Sequence, residues 1–345
     1  MKAAIFYGAG DIRVEERPTP KIGPREVLVK VKAAGICGSD LHSYRLSPKL
    51  PEGRMFGHEC SGEVVEVGKD VDRISVGERV GLEPLVGCGD CLYCLSGNYH
   101  LCPSLRHIPA FVEYQKFPQE KAFKLPDHVS CKEASTLDCI AVAVHAANLS
   151  GLKGGETAVV LGAGTIGLLM MQVLKAFGAG AVYETGKYDF QVKLAKELGA
   201  DAAINVEKEN LLERIKALTG AEKTGGQEMP LGVDHVYEAI GGPKNQLEDA
   251  LRVVRRGGTI TVIGDPKNPL KLSSFVMREI KIIGSSSYAY RGREPEFKVA
   301  LDLLSRGKVN AQKIITHAFP LERIKEAFDV ASDKGTGCIK VIIEA

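Results

Sequence analysis

Residues 157–167 read Thr-Ala-Val-Val-Leu-Gly-Ala-Gly-Thr-Ile-Gly, and the architecture of the second half of the chain follows from them. An apolar strand-like run leads into Gly162, Gly164 and Gly167, a G-x-G-x-x-G pattern, and a helical run follows from Thr165 to Phe177. In that context the first glycine allows a tight turn, the second lets backbone approach a pyrophosphate, and the third lets helix and strand pack closely. The helix start beneath Thr165 and Ile166 favours phosphate through its unpaired amides and its dipole. Working outward, Ala181–Thr185, Ala202–Val206, Val233–Ala239, Thr259–Gly264 and Ile280–Gly284 read as further apolar strands, with helical stretches between several of them. Parallel neighbours need crossovers of helix length, so residues 151–288 are expected to form an α/β, doubly wound parallel sheet. The strand ends at Ala239-Ile240 and Ile263-Gly264 are expected to border the dinucleotide.

The position that distinguishes one dinucleotide from the other lies about 20 residues past the fingerprint, where an acid takes the ribose 2′-hydroxyl. Counting from Gly167 leads to Gly186, within Glu184-Thr-Gly-Lys-Tyr188, and no carboxylate stands there. A carboxylate would repel a 2′-phosphate. Gly186 leaves space for one, and Thr185, Lys187 and Tyr188 are positioned to contact it, so NADP is favoured over NAD. The opposing reading gives Glu184 the acid's role through a shifted strand end.

Residues 1–150 have another texture, short β segments broken by Gly and Pro, such as Val27–Ala34 and Gly62–Gly68. After about 290 come one or two helices and a final strand, Cys338–Ile343, so residues 289–345 are expected to rejoin the first domain. The 45 Lys and Arg against 43 Asp and Glu give a net charge of only +2, which supplies no attraction for nucleic acid or an acidic membrane surface. No apolar stretch is long enough for a membrane span, and the first residues lack a signal peptide's core, so a cytoplasmic protein is expected.

Nine cysteines and no export signal argue against a disulfide framework. Cys88, Cys91, Cys94 and Cys102 fall in one short Gly-containing segment, with C-x-x-C-x-x-C spacing followed by a fourth Cys. Four thiolates close the coordination of a tetrahedral zinc, so this is expected to be a structural ion. An iron–sulfur cluster needs similar ligands and stays open. A nucleic-acid-reading ribbon is set aside, because no Lys or Arg stands between Cys88 and Cys102. A second candidate, Cys37-Gly-Ser-Asp-Leu-His42 with Gly57-His58-Glu59, pairs one thiol with one imidazole. Spacing alone favours reading Cys37 as a buried apolar residue and His58 as a hydrogen-bonded core histidine.

Taken with the four-cysteine loop and the glycine fingerprint, Gly35-Ile-Cys-Gly-Ser-Asp40 and Gly57-His-Glu59 resemble the zinc-dependent medium-chain alcohol and polyol dehydrogenases over essentially the whole chain. The resemblance implies a GroES-like catalytic domain with a Rossmann domain and two Zn²⁺ per chain. Cys37 and His58 would hold the catalytic ion, with Glu59 adjacent to it. By the family's register the third ligand is Asp138, with Cys139 the alternative. An Asp there resembles the NADP-dependent secondary-alcohol branch, whereas the four-cysteine loop resembles the polyol and threonine branch. Ser39 matches a hydroxyl that passes the alcohol proton toward solvent, and His42 extends that relay or contacts the acidic ligand. The segment between Cys102 and Phe111 is shorter than in relatives and lacks their glycines. His100, His107 and His128 read as surface residues. The implied activity is hydride transfer between NADP(H) and a secondary alcohol or polyol, in a homo-oligomer, tetramer or dimer. The alternatives are an NAD-linked polyol or threonine dehydrogenase, and a cofactor-binding relative without catalysis.

Overall fold

Val27, Val29 and Val31 are wholly buried in strand Glu26–Gly35 while Lys30 and Lys32 are partly exposed, the alternation of a sheet with one wet face. The computed structural model describes residues 1–50, 52–224, 227–242, 246–267, 276–292 and 294–345, with backbone alone over 222–224 and 227–230. The chain divides into two units. The first holds Met1–Cys139, Ala289–Arg306 and Ala311–Ala345; the second holds Ile140–Tyr288 and Gly307–Asn310.

In the first unit, a sheet runs in the order Ala122–Lys124, Arg79–Leu82, Glu59–Val67, Glu26–Gly35, Lys340–Glu344, Ile315–Pro320, with Tyr114–Pro118 also paired to Glu26–Gly35. A smaller sheet joins Asp11–Glu16, Lys2–Gly8 and Arg54–Met55. Phe6, Phe56, Phe111 and Phe328 cluster in the core, Phe6 stacking on Phe56 at 4.8 Å and Phe111 edge-on to Phe328 at 5.8 Å. The last strand lies antiparallel to Glu26–Gly35, pairing Ile342 with Gly35, and so returns the C-terminus to the middle of this sheet.

In the second unit the six strands of the main sheet are parallel, in the order Ala202–Asn205, Ala181–Gly186, Thr157–Leu161, Val233–Glu238, Val254–Val262, Lys281–Gly284. Numbered along the chain this is 3-2-1-4-5-6, the order that places a ligand crevice beyond the carboxyl ends of the first and fourth strands. A small antiparallel hairpin, Ala221–Thr224 with Gln227–Pro230, was not expected from the sequence. The first break in the chain falls at Cys139/Ile140, earlier than residue 150. Helix Leu137–Ser150 is tied to the second unit at its end, where Ser150 Oγ meets Tyr237 Oη at 2.7 Å. Residues 307–310 join that unit through the Asn310 amide, which donates to Gln172 Oε1 at 2.7 Å. Among the described residues no helix is long and apolar enough to cross a membrane.

Candidate functional site

The four-cysteine loop builds its own cage. Cys91 begins the short helix Leu92–Leu95, and Gly89 and Gly97 take positive φ (+88° and +80°) to turn the chain on either side of Cys94. Gly87 is pressed so close that a Cβ there would lie 2.6 Å from Cys94 Sγ. The four sulfurs lie within 4.8 Å of one another, and Cys88 and Cys94 are 3.9 Å apart. Tetrahedral Zn–S bonds of about 2.3 Å require sulfurs roughly 3.8 Å apart, so the donor set fits a four-thiolate ion. The Cys88 amide donates to Cys102 Sγ at 3.3 Å and brings that thiol down to about 7, toward the thiolate a metal needs.

The second set is assembled from distant parts of the first unit. Cys37 ends the loop after strand Glu26–Gly35, at the cap of helix Gly38–Leu46. His58 immediately precedes strand Glu59–Val67. One ligand atom each from Cys37, His58 and Glu59 lies within 4.8 Å of the others. The arrangement is held from behind. Asp40 Oδ2 accepts from the Cys37 amide at 2.9 Å, while its Oδ1 lies 3.5 Å from His58 Nδ1. Burial lowers the His58 pKa, but Asp40 and Cys37 outweigh it and hold the imidazole well above its usual range. Lys340, wholly buried on the last strand, ion-pairs with Glu59 Oε2 and donates to the Ile36 carbonyl at 3.0 Å. Burial opposes ionisation of Glu59, yet Lys340 and His58 keep its carboxyl below the ordinary range. Gly35 makes room for this pair, since a Cβ there would collide with Glu59 and lie 2.7 Å from Lys340 Cε.

The resemblance offers Asp138, then Cys139, as the third ligand. Asp138, buried on the first turn of helix Leu137–Ser150, does not converge with the thiol and imidazole. Glu59, one residue from His58, does. The alternative, Cys139, turns its thiol to Glu59, donating to Oε1 at 3.1 Å, and burial followed by the Glu59 charge pushes it well above a thiol's usual pKa. Ser39 and His42 are exposed, three residues apart on one face of helix Gly38–Leu46. His107, read as a surface residue, carries its ring to 5.4 Å from that of His58. Sequence reasoning missed Asp40 and Lys340 as well; the signal for Lys340 was a lone cation in an apolar final strand.

In the second unit the fingerprint turn fits a pyrophosphate. Gly162 has φ +108° and sits under Ile240, and Gly167 leaves no room for a side chain against the Gly162 carbonyl, with Glu184 Oε1 2.8 Å from where its Cβ would be. A Cβ on Gly164 would meet nothing within 4 Å, and this residue starts helix Thr165–Ala176 without a side-chain cap. Ala239, Ile263 and Gly264 are half-buried at neighbouring strand ends, with the Ala239 amide donating to the Leu161 carbonyl at 3.0 Å. Two expectations change here. Thr185 is buried and its hydroxyl accepts from the Gly162 amide at 3.0 Å, so it holds the turn, while Lys187 is exposed and Tyr188 half-buried. Gly186 leaves no void on its Cβ side, where Gln191 Cβ and Val192 Cγ2 would be 3.1 and 3.3 Å away. Glu184 is wholly buried with neither carboxylate oxygen partnered among the described residues, and burial raises its pKa well above the usual range.

Residues 23–127 match the alcohol dehydrogenase GroES-like domain and residues 165–306 match the zinc-binding dehydrogenase family. The chain is 36% identical to the sorbitol dehydrogenase of Bacillus subtilis (strain 168), over 99% of this chain and 97% of the relative. It is 34% identical to an L-threonine 3-dehydrogenase of Bacillus licheniformis, over 99% and 98%. A zinc-binding dehydrogenase fold from Sinorhizobium meliloti 1021, solved bound to NADP, superposes with a TM-score of 0.86 at 30% identity, covering 100% of this chain and 99% of that one. A four-thiol cage, a three-donor set and a dinucleotide turn on one chain agree with these likenesses: the chain belongs to the zinc-dependent medium-chain alcohol and polyol dehydrogenases and is an oxidoreductase.

Proposed function

We propose that the protein interconverts a secondary alcohol or polyol and its ketone, with NADP preferred over NAD. The observation that carries this is the convergence of one thiol, one imidazole and one carboxylate, three protein donors where the cysteine loop has four. Structural zinc sites are closed, and catalytic sites keep a position for substrate. The chemistry supplied by the bound groups is Lewis acidity toward a hydroxyl and acceptance of a hydride.

Within this reading Cys37, His58 and Glu59 hold the ion. Asp40 orients His58 from the far side of its ring, and Lys340 balances the buried charge of Glu59. Ser39 takes the alcohol proton, and His42, on the same helix face, passes it to solvent. Gly164 and the start of helix Thr165–Ala176 receive the pyrophosphate. The absence of an acid at Gly186 and the exposed Lys187 favour a 2′-phosphate, and the deep burial of Glu184 beneath the turn argues against its reaching a ribose.

A second reading, NAD-linked oxidation of a polyol or of L-threonine, is favoured by the activities named for the two bacterial relatives. A panel of secondary alcohols, polyols and L-threonine, run with each nicotinamide, separates the two. NADPH formation from alcohols with NADP bound more tightly than NAD supports the first; tighter NAD binding defeats the Gly186 argument.

A further inference from the structure

The short segment after the cysteine loop carries one imidazole directly to the three-donor set. His107 pairs with Leu85 in a two-stranded ribbon, and the next amide, Ile108, donates to the Pro84 carbonyl at 2.9 Å. Three residues on, the Ala110 and Phe111 amides both donate to the Phe56 carbonyl at 3.1 Å. Phe111 packs over Gly57 so closely that a Cβ there would lie 2.6 Å from its ring. The segment is therefore pinned on both sides of His107 to the stretch that presents His58, which sets the two rings 5.4 Å apart and tilted by 59°. His107 does not converge with the ligand atoms of Cys37, His58 and Glu59, yet it is exposed beside them.

We infer that His107 is a substrate-contacting residue that hydrogen-bonds the second hydroxyl of a vicinal diol whose first hydroxyl occupies the metal site. An imidazole both donates and accepts, as a hydroxyl does, and a simple alcohol presents only carbon at that place. His107 thereby selects polyols over monoalcohols. This rests on the dehydrogenase reading above and deepens it.

The test compares 2,3-butanediol with 2-butanol, which share a carbon skeleton, on the zinc- and nicotinamide-loaded enzyme. His107→Phe keeps an aromatic ring and loses both nitrogens; His107→Gln keeps a donor and an acceptor. The ratio of kcat/KM for the diol to that for the monoalcohol should fall about tenfold in His107→Phe, the size of one lost hydrogen bond, and recover at least partly in His107→Gln. A ratio unmoved by either variant overturns the assignment, as does an equal fall in both. As a second readout, the ring-proton resonance of His107 is followed during titration with each compound. A shift with 2,3-butanediol and not with 2-butanol supports the contact, and identical responses refute it. If the wild-type enzyme oxidises neither compound, the secondary-alcohol reading gives way to the other substrates of the panel, and this titration still decides His107.

Discussion

The two clusters of the first unit that could hold a metal ion differ in how they are made. The cysteine loop takes its four donors from 15 consecutive residues, Cys88 to Cys102, and needs only local glycine turns. The Cys37–His58–Glu59 set draws on two separate stretches and is backed by Asp40, by Cys139 and by Lys340, 281 residues from Glu59. A cage whose donors are all thiols is closed and serves stability. In the function proposed above, a set whose charges are balanced by a buried partner layer keeps three donors and serves chemistry.

The sharpest way to break this contrast is a matched pair of substitutions. Cys37→Ser should cost about a thousandfold in kcat/KM, since Lewis-acid stabilisation is worth several kcal/mol and each 1.36 kcal/mol is tenfold, while the thermal transition stays near the wild-type value. Cys91→Ser should do the reverse, lowering the transition of the first unit while the folded fraction still turns over. Differential scanning calorimetry beside steady-state assays reads both. Equal thermal loss in the two variants would erase the distinction.

Lys340→Met tests the backing layer. In the zinc-free protein, removing one partner of this fully buried pair leaves Glu59 uncompensated, at a cost of about 3–5 kcal/mol, measurable by urea unfolding. A loss below 1 kcal/mol would mean that Glu59 is balanced by something other than Lys340. Lys340→Arg, which keeps the charge, should recover part of the loss.

Smaller effects are expected in the second unit, whose cofactor turn is built from backbone. Gly186→Asp should weaken NADP by about ten- to a hundredfold, since a carboxylate a few ångströms from a 2′-phosphate repels it, and improve the NAD to NADP affinity ratio, read by calorimetric titration. A ratio that stays put would remove the Gly186 argument. The smallest effect concerns Glu184. Its folded pKa is raised, so the folded chain holds a proton that the unfolded chain releases, and stability falls as pH rises above the unfolded carboxyl value. Glu184→Gln should therefore stabilise the protein at pH 8 and leave it nearly unchanged at pH 4. An identical pH slope in both proteins would show Glu184 to be ionised when folded.

How much was legible follows the same division. The glycine fingerprint, the six parallel strands and the thiol cage are local patterns in which neighbouring residues specify their own geometry, and the sequence alone reads them. Which carboxylate meets Cys37 and His58 depends on how a strand and a helix approach in space, which spacing does not encode. Strand alternation turns the Thr185 hydroxyl inward to the Gly162 amide, a direction that the residue count past the fingerprint does not give. Lys340 was overlooked because it comes from a distant segment and meets Glu59 only when the final strand is docked.

The account turns on Glu59 holding metal with Cys37 and His58. Zinc per chain, measured on Glu59→Ala and Asp138→Ala after dialysis against a weak chelator, tests this most directly. The expected result is about two zinc per chain for Asp138→Ala and one for Glu59→Ala. One for Asp138→Ala with two for Glu59→Ala would contradict it.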